Sequence, residues 1–269
     1  VLIDSEGREI KVFDTKRENN MGMQLSLELP ENPEEEFIAR IDADRRMAIS
    51  ANHTATHLLH EALREVLGSH VEQKGSLGHA DGLRFDFSHF QKVTPEELRK
   101  VEHLVNKRVR MAIPLTECRD LPIDEARKMG AMALFGEKYG DRVRVVQYGS
   151  SIELCGGTHV ANTGNIGMVR ILSESSIAAG IRRIEAACGA KVEELLDRTI
   201  SDMHDFAAML GNTKDVRSAI EKAIKENSEL RGKVEEYFAE RVETIARECM
   251  SKARMVNGIR LMTLDGPRI

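Results

Sequence analysis

The sequence predicts an α+β fold, and three observations support this prediction. Segments with strand-like alternation and segments with helical periodicity interleave irregularly, without the steady βαβ repeat of a parallel sheet. Of the 269 residues, 41% are hydrophobic and 31% are charged, as in an ordinary globular protein. Every apolar run is shorter than the roughly 20 residues of a membrane-spanning helix, so we expect a cytoplasmic protein that does not bind membranes.

Alternating polarity marks the first 40 residues as β structure. Residues 2–4 and 9–13 flank a turn that ends at Gly7 and predict a hairpin, and residues 24–29 predict a strand that Pro30 closes. Because the chain does not begin with Met, we expect a piece of a longer protein whose small β domain starts upstream.

Two long helices are predicted in the first half of the chain. Residues 45–67 carry an apolar stripe at helical spacing, and Gly68 provides a natural C-terminal stop. Residues 94–97 (Thr-Pro-Glu-Glu) form the capping box of a second helix. Its apolar positions continue to Ala112, and Pro114 would end it.

The second half predicts short strands and then a helical arm. Strands are expected at 83–87, 143–148, 151–154, 166–172 and 181–187, with a short helix at 123–129 and a turn at 136–140. Residues 191–256 lack Pro and are rich in Glu, Lys, Arg and Leu, which predicts two helices broken near Gly211 and arranged as an antiparallel hairpin or spacer. Residues 259–264 predict a strand that begins a further domain.

Charge and cysteine usage narrow the function classes. A net charge of −5 and an aromatic content of 4% give no general surface for nucleic acid. Contact with a phosphate backbone would therefore need a local basic patch. The four cysteines lie far apart without a CxxC pair, which favours reduced thiols over disulfides.

Two short motifs carry candidate metal ligands. His53 and His57 lie four residues apart in the first predicted helix, so both imidazoles project from one face. Cys155 and His159 flank two glycines that permit a tight turn. Three nitrogens and one sulfur form a ligand set that suits zinc.

Other interpretations of these residues remain open. A lone HxxxH pair is often two ordinary histidines, and most free cysteines such as Cys155 are small buried hydrophobic residues. His60 lies on the same helical face and is a rival ligand. A metalloprotease is excluded because its motif needs Glu where Thr54 stands, and a zinc finger is excluded because no CxxC pair occurs.

At these residues the chain resembles the editing domain of the alanyl-tRNA synthetases and of their freestanding relatives. The resemblance covers residues 1–190 and, more loosely, the helical arm. The stretches that carry it are DADRR at 42–46, NHTATHLLH at 52–60, GSHVEQKGS at 68–76, LRFDF at 83–87, ALFGEKYGD at 133–141, ELCGGTHV at 153–160 and GIRRIEA at 180–186.

The resemblance implies a division into four parts. Residues 1–40 would be the end of a linker β-barrel, 41–190 the editing domain, 191–257 a helical oligomerisation arm and 258–269 the start of a truncated C-terminal domain. It also implies a homodimer formed through the arm. ATP and Mg²⁺ would serve only the aminoacylation domain of such proteins, whose ATP-binding motifs we do not find in this sequence.

The resemblance further implies the reaction and its residues. The site would hydrolyse the ester that joins serine or glycine to the 3′ end of tRNA(Ala). The implied Zn²⁺ ligands are His53, His57, Cys155 and His159. Candidates for contact with the substrate are Gln73, Thr54 and Ser76. Basic residues expected to meet tRNA phosphates are Lys74, Arg182 and Arg183.

Two rival functions remain open at this point. The N-terminal editing domain of threonyl-tRNA synthetases shares the HxxxH and CxxxH pattern, but the VEQKGS, CGGTH and GIRRIEA stretches favour the alanyl type. A non-catalytic, zinc-stabilised module for tRNA binding and dimerisation would bind mischarged tRNA and release it intact.

Overall fold

The structure, a computed structural model, describes residues 1–19, 21–133 and 139–262. It confirms the α+β class, with helices and antiparallel sheets that interleave along the chain. The chain divides into two compact units, Val1–Leu196 and Asp197–Ile269. Most of the turn predicted at 136–140 and the end of the strand predicted at 259–264 lie outside the described residues.

Two small sheets form the N-terminal part of the first unit. β1 (Leu2–Ile3) pairs with β2 (Glu9–Ile10), as the hairpin prediction requires, and also with β5 (Ile38–Ala39). β3 (Val12–Glu18) and β4 (Met21–Ser26) form a separate two-stranded ribbon. These strands do not close into a barrel within the described residues.

The strand predicted at 24–29 is wrong at its C-terminal end. β4 stops at Ser26, and both Leu27 and Leu29 are 91% exposed. Alternating polarity predicts which residues could face a core, but it does not supply the neighbouring strand that would cover them.

Helix α1 (Ala43–Leu67) begins slightly earlier than predicted because Asp42 caps it. The Asp42 carboxylate accepts a hydrogen bond from the backbone N–H of Arg45 at 2.9 Å. The helix ends at Gly68, whose φ of +116° is strained for any residue with a Cβ. Its buried apolar face contains Ala55, Leu58, Leu59, Ala62 and Leu63.

Helix α2 (Pro95–Arg110) has the predicted capping box. The Glu97 N–H donates to Thr94 Oγ1 at 3.2 Å, and a Glu97 carboxylate oxygen accepts from the Thr94 N–H at 2.8 Å. The prediction that the helix continues to Ala112 and ends at Pro114 is wrong. Ala112 has a φ of +47°, which a right-handed helix does not contain.

Four antiparallel strands form the main sheet: β6 (Gln73–His79), β7 (Gly82–Ser88), β11 (Val169–Ala178) and β12 (Ile181–Cys188). Their order is β11–β12–β7–β6, and their buried side chains join those of α1 and α2 in the main apolar core. The strand predicted at 166–172 starts later because Thr163–Ile166 forms a short 3-10 helix and Gly167 turns the chain with a φ of +72°.

A smaller sheet carries the second motif. Its strands β8 (Thr116–Pro122), β9 (Arg142–Tyr148) and β10 (Ser151–Leu154) have the order β10–β9–β8. Helix α3 (Ile123–Lys128) covers a satellite apolar cluster through Ala126. Neither β8 nor β6 is predicted from the sequence, because their largely polar residues lack clean alternation.

Two long helices follow the main sheet. The predicted break near Gly211 is confirmed, since it separates α4 (Ala190–Met209) from α5 (Val216–Ser251). In the described part of the chain α5 buries none of its residues, which does not fit an antiparallel hairpin with a shared apolar seam. β13 (Arg254–Val256) and β14 (Ile259–Leu261) then form a small hairpin. Across residues 1–19, 21–133 and 139–262, every helix is too short or too polar to cross a membrane.

Candidate metal centre

The structure brings the two histidine and cysteine motifs together, although 102 positions separate His53 from Cys155. The four predicted ligand atoms, from His53, His57, Cys155 and His159, all lie within 4.8 Å of one another. Cys155 Sγ lies 3.4 Å from His53 Nε2 and 3.3 Å from His159 Nε2. His57 is buried and the other three are partly exposed, so one side of the group is open to solvent.

Two rigid elements position these side chains. Helix α1 presents His53 and His57 about one turn apart, on the face that packs into the first unit. On the other side, β10 ends at Leu154, and the Cys155 N–H donates to the Arg144 carbonyl oxygen of β9 at 3.1 Å. The pairing of β10 with β9 therefore fixes where the ligand-bearing loop begins.

Gly157 allows this loop to approach helix α1. A Cβ atom at this position would collide with the His53 imidazole, whose Nδ1 would be only 2.5 Å away. A Cβ at Gly156 would meet no atom within 4 Å. Neither residue is among the positive-φ glycines of the described chain. The two glycines are therefore not required for a left-handed backbone, and the contact with His53 shows that the loop requires space at Gly157.

Hydrogen bonds on the far side of the rings orient two of the histidines. His53 Nδ1 lies 3.2 Å from the Thr158 carbonyl oxygen, which can only accept, so Nδ1 carries the proton and Nε2 a lone pair. His159 Nδ1 lies 3.1 Å from Thr54 Oγ1. Because the Thr54 hydroxyl donates to the Ser50 carbonyl oxygen at 2.9 Å, it accepts from His159 Nδ1 and leaves Nε2 unprotonated.

Thr54 is buried behind the metal motif. Its side chain is 0% exposed, and its hydroxyl also accepts from the Val160 N–H at 3.2 Å. The Thr54 hydroxyl therefore supports His159 from behind. Contact between Thr54 and a substrate stays a prediction.

The rival ligand His60 does not belong to the group of four. Its Nδ1 lies 3.1 Å from Glu153 Oε1, and the second carboxylate oxygen of Glu153 lies 3.4 Å from His57 Nδ1. All three side chains are buried. The sequence reasoning missed Glu153, because a glutamate in a short strand resembles an ordinary solvated residue.

Burial keeps the three histidines of the group neutral. Desolvation lowers the pKa of His159 from 6.5 to about 3. It also lowers the pKa of His57 well below 6.5 and that of His53 in the same direction. Like-charge repulsion from Arg144 adds to the effect at all three rings. Neutral imidazole is the form that binds metal ions.

Arg144, a residue of β9 that the sequence reasoning missed, clamps the loop. Its Nη1 donates to the carbonyl oxygens of Cys155 (3.0 Å) and Gly157 (2.5 Å), and its Nη2 lies 3.2 Å from Glu117 Oε2. Hydrogen bonds from Arg144 and Arg119 lower the pKa of Glu117 to about 2. The guanidinium therefore stays between a charged carboxylate and the loop backbone.

The predicted substrate residues Gln73 and Ser76 lie on β6, an edge strand of the main sheet. Gln73 Nε2 donates to Ser76 Oγ at 3.0 Å. Ser76 shares a face of β6 with Gly78, where a Cβ would lie 3.9 Å from the His53 backbone nitrogen. Strand β6 thus passes beside the part of α1 that carries the metal motif.

The three predicted phosphate-binding residues all have acidic partners. Lys74 Nζ lies 2.9 Å from a Glu72 carboxylate oxygen. Arg182 donates to Glu174 at 2.5 Å. Arg183 donates to both carboxylate oxygens of Asp86, at 2.7 and 2.8 Å. The two arginine pairs tie β12 to its neighbouring strands, β11 through Glu174 and β7 through Asp86.

The side chains present fit a zinc ion. Zinc prefers sulfur and imidazole donors at roughly 2.0–2.3 Å in a tetrahedron, whereas magnesium and calcium prefer oxygen. Tetrahedral ligands at such distances are roughly 3.3–3.8 Å apart. Two separations match this spacing, from Cys155 Sγ to His53 Nε2 (3.4 Å) and to His159 Nε2 (3.3 Å), while the four atoms as a set lie within a wider limit of 4.8 Å.

Comparison with known proteins found one matching family and several similar relatives. Residues 143–185 match the family described as the threonyl and alanyl tRNA synthetase second additional domain. The chain is 57% identical to alanine–tRNA ligase of Bacteroides fragilis over 261 residues, which are 97% of the chain and 30% of that relative. Identity to the Porphyromonas gingivalis alanine–tRNA ligase is 50% over 260 residues, again 97% of the chain and 30% of the relative. The chain matches a segment of the bacterial alanine–tRNA ligases.

The match to these ligases confirms the resemblance to the alanyl-tRNA synthetases. A third relative, the alanine–tRNA ligase of Bacteroides thetaiotaomicron, is 54% identical over 266 residues, or 99% of the chain and 30% of the relative. The chain thus spans less than a third of the length of the curated relatives it matches. The matched family segment contains Cys155 and His159, while His53 and His57 lie outside it.

Proposed function

We propose that this chain is the editing portion of a bacterial alanine–tRNA ligase and hydrolyses mischarged Ser-tRNA(Ala) and Gly-tRNA(Ala) at a zinc centre. The observation that carries the proposal is the convergence of four metal-binding side chains from two distant motifs. The match of residues 143–185 to a domain of threonyl and alanyl tRNA synthetases supports it. The printed name of the relatives, alanine–tRNA ligase, suggests the amino acid and the tRNA.

A separate hydrolytic site would remove wrong aminoacyl esters that the aminoacylation site cannot reject by itself. An aminoacylation site shaped for alanine cannot cheaply reject glycine, since one lost methyl group is worth only roughly 1–3 kcal/mol, and an added hydroxyl is also hard to exclude. A second site whose polar groups engage the serine hydroxyl would select the serine ester, because alanine would leave those groups unpaired. This argument applies to serine and does not extend to glycine, which has no hydroxyl.

In this proposal the residues of the chain hold the ion and the substrate. The zinc ligands are His53, His57, Cys155 and His159. When bound, zinc would supply Lewis acidity that either activates water or anchors the ester or amino group of the substrate. A catalytic site needs one open position. Four protein ligands would close the site, so a catalytic role needs one ligand that can be displaced, and we assign this role to partly exposed His159 rather than to buried His57.

Strand β6 provides the proposed substrate and tRNA contacts near this site. Gln73 and Ser76 would offer polar groups to the aminoacyl ester, since they share a hydrogen bond on a strand that passes beside α1. Lys74 would contact a tRNA phosphate. Arg182 and Arg183 would do so only if a phosphate competes with their carboxylate partners.

Hydrolysis of Ser-tRNA(Ala) by the 269-residue chain tests the proposal directly. We expect hydrolysis that a chelator abolishes and that added zinc restores. His57→Ala should lower both zinc content and hydrolysis, whereas His204→Asn, at an exposed position in α4, should change neither. A chain with an empty site and full activity would reject the role of zinc.

The same assay separates the rival functions. A threonyl-type editing domain would prefer Ser-tRNA(Thr) to Ser-tRNA(Ala). A non-catalytic module would bind mischarged tRNA(Ala) and release it with the ester intact. Hydrolysis of Ser-tRNA(Ala) with little action on Ser-tRNA(Thr) would support the alanyl type.

The proposal extends to the parent protein. Residues 1–40, 41–190, 191–257 and 258–269 would be the end of a linker barrel, the editing domain, the helical arm and the start of a C-terminal domain. Exposed apolar residues along α5 would form a homodimer interface. ATP and Mg²⁺ would serve the aminoacylation reaction in another part of a cytoplasmic enzyme.

A further inference from the structure

We propose that Glu153 is a positioning residue of the metal centre, and that its buried carboxylate orients His57 from the side opposite the ion. Glu153 is not one of the four ligands that the two motifs supply. The inference rests on the proposed metal centre. It assigns a role to Glu153, which neither metal-binding motif contains as a ligand.

The geometry places Glu153 behind His57. Glu153 Oε2 lies 3.4 Å from His57 Nδ1, with side-chain exposures of 3% and 5%. At this distance Nδ1 forms no hydrogen bond with any described residue. A buried N–H without a partner is unfavourable, so a small movement that closes this gap would be favoured. The carboxylate is the acceptor available to it.

His57 differs from the other two histidines in the charge of its outer partner. His53 faces a backbone carbonyl oxygen and His159 faces a hydroxyl, both of which are neutral. A carboxylate that accepts from Nδ1–H fixes the proton there, leaves the lone pair on Nε2 and makes that nitrogen a stronger ligand. His57 should therefore depend on its outer partner more than the other two rings do.

The carboxylate itself is held from two sides. Its other oxygen, Oε1, lies 3.1 Å from Nδ1 of His60, which is also on α1. On the opposite side, the backbone of Glu153 pairs with Val146 of β9. Because a helix and a sheet fix the carboxylate, it can hold an imidazole in one orientation.

Zinc affinity measured in the 269-residue chain tests the inference. Competition with a chromophoric chelator gives the zinc Kd, and urea denaturation gives the stability of the metal-free protein. We expect Glu153→Gln to raise the Kd by roughly 10–100-fold, as is typical for loss of an outer partner of a ligand. Glu102→Gln is the matched control: Glu102 is also a mostly buried glutamate, but it lies on α2 and pairs with Arg170 at 2.7 Å. It should leave the Kd unchanged.

A positioning role also predicts a change that a purely structural role would not produce. With cobalt in place of zinc, Glu153→Gln should alter the visible ligand-field bands, because His57 would turn relative to the ion. In a His57→Asn background the added Glu153→Gln change should not weaken metal binding further. Full additivity of the two changes would overturn the inference.

The outcomes separate this inference from the proposed function. If the wild-type chain binds no zinc, the metal centre and this inference both fail. If the wild type binds zinc and Glu153→Gln binds it equally well, only the inference fails. If the Glu153→Gln variant does not fold, the His60→Gln variant tests the inference instead. Its zinc Kd should rise, because the Glu153 carboxylate loses its contact with His60. An unchanged Kd would overturn the proposal.

Discussion

Gly157 leaves the space that the His53 imidazole occupies, and this gives a prediction at the scale of single residues. Gly157→Ala should push the loop away from α1, weaken zinc binding by about tenfold or more and destabilise the protein by about 1–3 kcal/mol. Gly156→Ala is the control, because its Cβ has no neighbour within 4 Å. Chelator competition and urea denaturation measure both effects, and equal zinc affinities for the two variants would contradict the prediction.

The low pKa of His159 predicts how stability depends on pH. Its pKa is lowered to about 3 in the folded chain, so between that value and 6.5 protons bind the unfolded chain but not the folded one. The free energy of unfolding of the metal-free protein should therefore fall below pH 6.5, by up to about 1.4 kcal/mol per pH unit from this residue.

Urea denaturation at neutral and mildly acidic pH measures this dependence. Wild type should lose stability more steeply on acidification than His159→Gln, which has no proton to bind at that position. Above pH 6.5 the histidine is neutral in both states, so its contribution should stay constant. Parallel curves for the two proteins below that pH would argue against a buried neutral His159.

The sequence suffices to select the four candidate ligands, because i and i+4 spacing and residue chemistry are local properties. It does not reveal the atoms behind them. Thr54 is fully buried and supports His159, and Glu153 of strand β10 lies 3.4 Å from His57 of helix α1. Such roles depend on distances between elements, which motif spacing does not contain.

At the scale of elements, Arg144 joins strand β9 to the ligand loop and gives a third prediction. Arg144→Lys keeps the positive charge, but a single ammonium cannot reproduce the fork that reaches two carbonyl oxygens. We expect zinc affinity to fall about tenfold, equivalent to ~1.4 kcal/mol. Arg142→Lys is the control, since Arg142 lies on the same strand but pairs with Asp120. Equal effects of the two changes would refute a specific clamp.

Element prediction succeeded where local chemistry decides the outcome. The Thr94–Glu97 capping box and the break near Gly211 are found as expected. The prediction of elements failed where pairing with a neighbouring strand decides the outcome. β6 and β8 have little alternation and exist because neighbouring strands pair with them. Leu27 and Leu29 alternate well but remain exposed, because no strand of the described residues covers them.

At the scale of the whole molecule, the exposed apolar residues of α5 give a fourth prediction. Val234 is 52% exposed, Phe238 62% and Val242 65%, on a helix of 36 residues. Long helices gain most of their stability from packing of such faces. Val234→Asp together with Phe238→Asp should shift the chain from dimer to monomer in sedimentation velocity. Glu235→Gln is the control, and a wild-type chain that sediments as a monomer at high concentration would exclude the proposed dimer.

The overall class could be predicted because it follows from the mixture of periodicities along the chain. The packing of α5 could not be predicted, since a helical apolar stripe looks the same whether it faces its own chain or another copy. The structure shows only that the described chain does not bury it.

The two ligand motifs belong to segments that are distant in sequence, His53 on α1 and Cys155 after β10. An ion held by both motifs binds the folded chain more tightly than the unfolded chain, so folding and metal supply become linked equilibria. At a free zinc concentration a hundred times the Kd, the native state would gain about 2.7 kcal/mol. Cells that run short of zinc would therefore lose part of the folded population as well as the chemistry of the site.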